Sequence, residues 1–273
     1  MNSFLDQDAM ANRDFVQSVE RGLAILQTFD VDNPVMSLSE AAVRTGMTRA
    51  AARRFLLTLV QLQFVGTDGK RFWLRPTVLD LGYRYLSGQP WWHIAQPIIE
   101  EIARATKESC SVCVLDGSDS VYVCRAAVSR IVSTNLTIGS RLPAYCTALG
   151  RALLSRLPDA DIRTRLNGSQ IEKKTPLTVT SKRKLLEAIG GVRSSGYSLL
   201  DQELDMGLRA LAVPLAISSE TVVAAVGVSV QANRVSADEL LKRFLPVLLE
   251  GSRQISAGVL EAQRSRALRS IPV

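Results

Sequence analysis

Histidine is almost missing from this 273-residue chain; His93 stands alone. That removes the common ways of building a catalytic or metal site. A thiol–imidazole pair would have to join Cys146 to His93, with no acidic residue evident to orient the ring. A metal site would need all-thiolate ligation by Cys110, Cys113, Cys124 and Cys146. Cys110 and Cys113 form a CxxC, but in a β-rich run they point to opposite faces. Long apolar runs are missing too. The greasiest stretch, residues 222–230, is strand-sized, well short of the roughly 18 residues of a membrane span. Residues 1–12 are acidic and polar and lack the basic segment and apolar core of a secretory leader. Neither a phosphate-binding P-loop nor a glycine-rich nucleotide fingerprint occurs. These absences predict a cytoplasmic protein with reduced thiols, no membrane partner, no metal, no cofactor and no enzyme activity. An unexplained activity of the C-terminal half is the enzyme hypothesis that survives, and turnover of a bound ligand separates it from sensing.

What is present is an ordinary globular balance, with 47% hydrophobic and 22% charged residues and length enough for two domains. The formal net charge of +7 favours a polyanionic partner, but its distribution says more. Residues 44–75 carry seven basic side chains against one acid, Asp68. A local excess of this kind is the footprint of DNA contact.

The pattern of residues 15–76 predicts a winged helix-turn-helix. Val19, Leu23 and Leu26 recur at helical spacing over residues 16–29. Ser37 and Glu40 form a capping box that starts a short second helix, and Gly46 stops it. Thr48 then caps a third helix, whose residues Ala52, Phe55, Leu56, Leu59 and Leu62 share a face expected to be buried. Arg49 and Arg53, four apart, share another, exposed face beside Arg54. The second helix of such a pair enters the major groove, where arginine bonds guanine through two atoms. Asp68-Gly69 between β-rich runs predicts a two-residue hairpin bearing Lys70 and Arg71, the wing, which contacts phosphate. The DNA-contacting candidates are Ser39, Thr48, Arg49, Ala50, Arg53, Arg54, Lys70 and Arg71, and the partner is double-stranded operator DNA. Residues 1–14 read as a flexible N-terminus.

Residues 77–106 read as two linker helices broken at Ser87-Gly88-Gln89-Pro90, with Ile94, Ile98 and Ile102 on one stripe. Trp91 and Trp92 are either anchors of an interface or core residues. Residues 107–262 read as an α+β domain with an antiparallel sheet. Strands are expected over 111–115, 120–126, 132–138, 211–217 and 222–230. Helices are expected over 146–157 and 180–195, the latter closed by Gly196. A second capping box at Ser236–Glu239 opens a long terminal helix. Residues 263–273 form a basic tail.

Three segments resemble one family. GSRLPAYCTALGRALL at 139–154, GYSLLDQELDMGLRALAVP at 196–214 and SVERGLAIL at 18–26 are similar to the IclR-type bacterial regulators. The wording around 142–147 looks most like the branch that controls protocatechuate, 4-hydroxybenzoate and β-ketoadipate catabolism. The resemblance implies a GAF-like effector domain and a homodimer that often assembles as a dimer of dimers. It implies an effector pocket formed by the sheet, the loop before the Cys146 helix and the loop carrying Asp201. Carried onto this chain, its residues are Leu142, Ala144, Tyr145, Cys146, Asp201, Met206 and Ser229. Ala210 and Gly227 stand where some relatives with polar effectors place cysteine or serine, which favours a larger, less polar ligand. This chain also departs from relatives that carry a metal in the effector domain.

The chemistry of a small-molecule carboxylic acid, aromatic or dicarboxylic, adds requirements. Its carboxylate needs a cation or N–H donors, and its body an apolar wall. Arg141 and Arg209 are the nearest cations in sequence, and backbone N–H groups at the start of the Cys146 helix could serve as donors. Arg209 has an alternative as the ion-pair partner of Asp201, Glu203 or Asp205. Tyr145 either stacks on or bonds the ligand, or is a half-buried core residue. In this reading a dimer sets its recognition helices about one DNA turn apart, and the effector reorients the linker helices and changes either operator affinity or contact with RNA polymerase.

Overall fold

Gly46 and Thr48 set the geometry on which the first unit depends. In the computed structural model, which describes residues 14–128, 136–216 and 224–269, Gly46 takes φ 66°, a left-handed conformation that suits glycine. It ends α2 (Leu38–Thr45). Thr48 Oγ1 then accepts the Ala51 N–H at 3.2 Å and starts α3 (Arg49–Gln61). The predicted capping box of α2 is present in both directions. Ser37 N–H donates to Glu40 Oε2 at 2.7 Å, and Glu40 N–H donates to Ser37 Oγ at 3.3 Å. With α1 (Gln17–Leu26), these helices bury Ile25, Ala41, Ala52 and Leu56 against Met36, Val65 and Phe72. The last three come from a three-stranded antiparallel sheet in the order β1–β3–β2, made of β1 (Val35–Ser37), β2 (Val65–Thr67) and β3 (Arg71–Leu74). The strand β1 was not expected. Leu62, expected on the buried stripe, is exposed. The helix stops at Gln61 and Gln63 turns to φ 67°, which carries Leu62 off the helical face.

A single 3-10 turn (Pro76–Val78) leads into α4 (Leu79–Gly88), which buries none of its residues. The chain divides into two compact units between Tyr85 and Leu86. The helix α5 (Pro90–Thr106), read in the sequence as half of the linker, lies within the second unit's core. Trp91 is there a core residue, buried with Ala95, Ile99 and Ile102.

The second unit is a six-stranded antiparallel sheet in the order β6–β5–β4–β9–β8–β7. Its strands are β4 (Cys110–Asp116), β5 (Asp119–Ala126), β6 (Arg141–Pro143), β7 (Ser198–Asp201), β8 (Leu208–Pro214) and β9 (Ala224–Gln231). Alternation sends Val112, Val226 and Val228 to one face, where α5 and the terminal helix cover them. The other face presents Cys113, Tyr122, Ala212 and Ala225 to α6 (Ala148–Leu154). Outside α6, a further cluster joins it to α7 (Asp159–Gly168) and α8 (Lys182–Ser195). The terminal helix starts as one turn, α9 (Ala237–Glu239), passes through a π-helical stretch (Leu240–Phe244) and continues as α10 (Leu245–Arg269).

Several expectations change. The helix expected from Cys146 begins at Ala148, because Ala144–Cys146 form a 3-10 turn and Thr147 is the extended N-cap. Residues 132–135 of one expected strand lie outside the described residues, and 136–138 are a loop. Residues 217, 222 and 223, expected in strands, also lie outside them. Ser236 accepts the Glu239 N–H at 3.1 Å, but the Glu239 carboxylate pairs with Arg243 instead of completing a box. Residues 263–269 of the basic tail continue α10 as helical backbone.

Candidate nucleic-acid interface and effector cavity

The exposed side of α3 carries Arg49, Ala50, Arg53 and Arg54, while Ala52 and Leu56 anchor its opposite side. Arg49 and Arg53 lie one turn apart, as the spacing required. Ser39 is exposed in the first turn of α2, and Thr48 is exposed with its hydroxyl engaged in the cap. Arg44 pairs with Asp30 at 2.8 Å, so one of the seven basic residues is neutralised within the fold. The wing is wider than a two-residue hairpin. Thr67 pairs with Phe72, and residues 68–70 form the loop that leads into Arg71 at the start of β3. The Asp68 carboxylate organises it by accepting the N–H groups of Arg71 at 2.7 Å and Lys70 at 2.9 Å. Those two bonds, Arg71's first, hold Asp68 below its ordinary pKa. A two-residue type I′ turn needs two residues at positive φ, and here only Gly69 supplies one. Lys70 and Arg71 are exposed at this loop.

In the second unit, a cavity of about 90 Å³ lies between the sheet and α6. Tyr122, Leu142, Leu149, Leu200 and Ala210 give it an apolar wall, and Ser111, Gln202, Glu203 and Ser229 add polar groups. An open cleft of about 550 Å³ adjoins it, sharing Gln202, Leu208 and Ser229 with the cavity wall. Gln202 holds φ 59°, uncommon for a residue with a side chain. Its carbonyl takes the Thr175 hydroxyl at 2.7 Å, and its side chain accepts the Gly207 N–H at 2.9 Å. This bend sets Glu203 against Arg151, which donates to both carboxylate oxygens at 2.8 and 2.6 Å.

The expected effector residues divide three ways. Leu142, Cys146 and Ser229 line the cavity. Met206 and Arg209 line the cleft. Ala144, Tyr145 and Asp201 line neither. Tyr145 packs with Leu154, Ile162 and Leu185, and its hydroxyl donates to Glu172 O at 2.8 Å and accepts the Glu172 N–H at 3.0 Å. At 1% exposure it sits in the core, and one backbone residue takes both hydrogen-bonding directions of its hydroxyl. Ala144 is buried in the same cluster, beneath Gly150, where any Cβ would overlap the Ala144 backbone. Asp201 accepts from Arg209 at 2.8 Å, a bond that leads the causes holding its pKa low. Arg209 also donates to the carbonyls of Ala232 and Val235. Arg141 is paired with Asp116 at 2.8 Å and Asp119 at 3.3 Å. Among the amides at the start of that helix, Gly150 N–H is engaged, donating to Thr147 Oγ1 at 3.1 Å.

The thiols stay neutral. Burial pushes Cys146 up to about 11 and Cys124 up to about 12. Cys110 and Cys113 do fall on opposite faces, Cys110 with the α5 cluster and Cys113 with the α6 cluster.

Sequence reasoning missed Ser111, Tyr122, Arg125, Gln202 and Glu203. One signal was available. Arg125 is a single charge inside the apolar run VYVCRAAV at 121–128, and such a charge needs a reason to be there. It stands opposite Ser111 in the β4–β5 register and donates to Ser111 Oγ at 3.2 Å.

Comparison with known proteins supplies the context. The family descriptions that match are "IclR helix-turn-helix domain" over residues 18–69 and "Bacterial transcriptional regulator IclR C-terminal" over residues 83–257. The chain is 40% identical over 243 residues to the Pca regulon regulatory protein of Pseudomonas putida, covering 89% of this chain and 84% of that one. A crystal structure of a transcriptional regulator from Rhodococcus sp. RHA1 is similar with a TM-score of 0.82 and 44% identity, covering 90% of this chain and 99% of that one. The inducer-binding domain of the Acinetobacter PobR transcription factor, solved as a double mutant with 3-hydroxybenzoic acid, is similar with a TM-score of 0.56 and 30% identity. That match covers 60% of this chain and 96% of the domain.

Proposed function

The chain belongs to the IclR family of bacterial transcriptional regulators, and from that premise we propose that it controls genes of aromatic-acid catabolism in response to a small aromatic or dicarboxylic acid. The observation that carries this reading is the mainly apolar cavity between the sheet and α6, with polar groups on its wall. Ordinary ligand pockets occupy roughly 300–1,000 Å³. A cavity of about 90 Å³ therefore suits a compact ligand that displaces side chains on entry. The neutral Cys146 thiol and the tight sheet at Gly227, where a Cβ would crowd Leu211 and Ala212, fit an uncharged, flat body of ligand. The Pca regulon relative and the PobR domain with 3-hydroxybenzoic acid support the same chemical class.

Operator DNA is read by Arg49 and Arg53 of α3, with Ser39, Thr48, Ala50 and Arg54 alongside, and held by Lys70 and Arg71 of the wing. Self-association belongs to this reading. Val16, Val19 and Leu23 are about half exposed around α1, an apolar stripe that a second copy would cover. The test is a titration of the purified protein against its own upstream DNA at fixed salt, with and without protocatechuate, 4-hydroxybenzoate and β-ketoadipate. The expected result is a specific complex whose affinity one of these acids changes while the acid is recovered intact. Specific binding indifferent to all three overturns the aromatic-acid assignment, and consumption of the acid overturns sensing.

A further inference from the structure

Three arginines near the cavity are already neutralised. Arg151 is held by Glu203, Arg209 by Asp201 and two carbonyls, and Arg141 by Asp116 and Asp119. Arg125 differs. It is half-buried on β5, lines the open cleft, and its guanidinium donates to a neutral partner, the Ser111 hydroxyl. Ser111 in turn lines the cavity. The Arg125 charge also acts on the Tyr122 hydroxyl and the Cys113 thiol, which lie on the sheet face that meets α6. The same charge acts on Cys110 on the opposite face, so the link to the cavity is the Ser111 contact, since Ser111 lines it. The nearby acid Glu108 on the cleft wall is paired with Arg234 at 3.4 Å.

A guanidinium offers five donors, in a planar fork that matches a carboxylate. One hydroxyl uses only part of that capacity. Placing a cation half-buried beside apolar wall costs solvation, and an entering carboxylate would repay it with two charge-assisted bonds. We propose that Arg125, with Ser111 beside it, binds the effector's carboxylate where the cleft meets the cavity, and so restricts the effector to a one-ring carboxylic acid whose apolar body occupies the cavity. This rests on the cavity being the effector site. It assigns the reading of charge to Arg125 of β5, whereas the sequence pointed to Arg141 and Arg209.

The experiment is calorimetric titration of the full chain with 4-hydroxybenzoate, protocatechuate, adipate and the neutral 4-hydroxybenzamide. Wild type, Arg125→Met, Arg125→Lys and Ser111→Ala are compared, each first shown to keep the wild-type thermal midpoint. Losing a hydrogen-bonded charge pair should weaken acid binding by about 10–100-fold in Arg125→Met. Arg125→Lys should recover part of that loss, because it restores charge without the fork. Binding of the neutral amide should change less than about threefold, within the range of a lost neutral contact. If Arg125→Met fails to keep its midpoint, Arg125→Lys and Ser111→Ala decide, since both should weaken the acids more than the amide. Equal loss for acid and amide, or no loss for the acid, overturns the proposal while leaving the cavity reading intact. A wild-type chain that binds none of the carboxylates overturns the cavity reading and this inference with it.

Discussion

Arg151 and Glu203 show how much one pair of residues can hold. Both side chains are nearly dry, 6% and 11% exposed, and their two parallel hydrogen bonds are joined by others. Arg151 Nε donates to Tyr145 O at 2.8 Å, and Val179 N–H donates to Glu203 Oε2 at 3.0 Å. The pair therefore ties α6, the 3-10 turn before it and the loop after β7 into one network behind the cavity. Glu203→Gln leaves Arg151 buried with a neutral partner. By the general cost of breaking a buried pair, it should destabilise the second unit by about 3–5 kcal/mol. Replacing both residues, Arg151→Met with Glu203→Leu, should return most of that, because no charge is then stranded. Urea unfolding of the two variants checks this, and equal losses in both would contradict it. The sequence grouped Asp201, Glu203 and Asp205 as alternative partners of Arg209. The fold separates them, Asp201 going to Arg209 across adjacent strands and Glu203 to an arginine 52 positions away. Pairings of the first kind are legible once a hairpin is suspected, whereas the second depends on where a distant helix lands.

At the scale of elements, legibility follows the range of the forces that make each one. Helix ends were read from local hydrogen bonds. Ser37, Gly46, Thr48 and Gly196 all act as the sequence indicated, since a cap involves residues only three or four apart. Strands β1, β6 and β7 escaped because each has only three or four residues and is defined by non-local pairing. Helix α7 escaped because it buries only Ile162 and Leu166, too sparse a pattern to stand out. The reading of α3 and the wing makes a prediction at this scale. If Arg49 or Arg53 bonds a base, Arg49→Ala and Arg53→Ala should each cost roughly 1–3 kcal/mol of specific binding and relax the sequence preference at one position. Lys70→Ala in the wing should weaken all sequences alike and reduce the salt slope by about one. Operator titrations over a salt series separate the two behaviours. Indifference to both arginine substitutions would mean that α3 is not the recognition helix.

For the whole molecule, the division between Tyr85 and Leu86 makes regulation a matter of coupling between two folded units. Each has its own buried core, so each has its own stability to report. A ligand that binds one native unit and not its unfolded chain raises that unit's stability by about 2.7 kcal/mol at a hundredfold excess over Kd. A cavity ligand should therefore raise the unfolding transition of the second unit, and an operator duplex that of the first, in scanning calorimetry. Coupling makes a stricter demand, because linkage is reciprocal. If a carboxylic acid changes operator affinity tenfold, the operator must change the affinity for that acid tenfold, a coupling of about 1.4 kcal/mol. Measuring the acid's Kd with and without saturating operator tests this. Equal values, beside a raised transition of the second unit, would mean that the acid occupies the cavity without informing the DNA-binding unit. It would then be a stabilising ligand but not the effector, because a ligand that binds both states of a switch equally shifts neither.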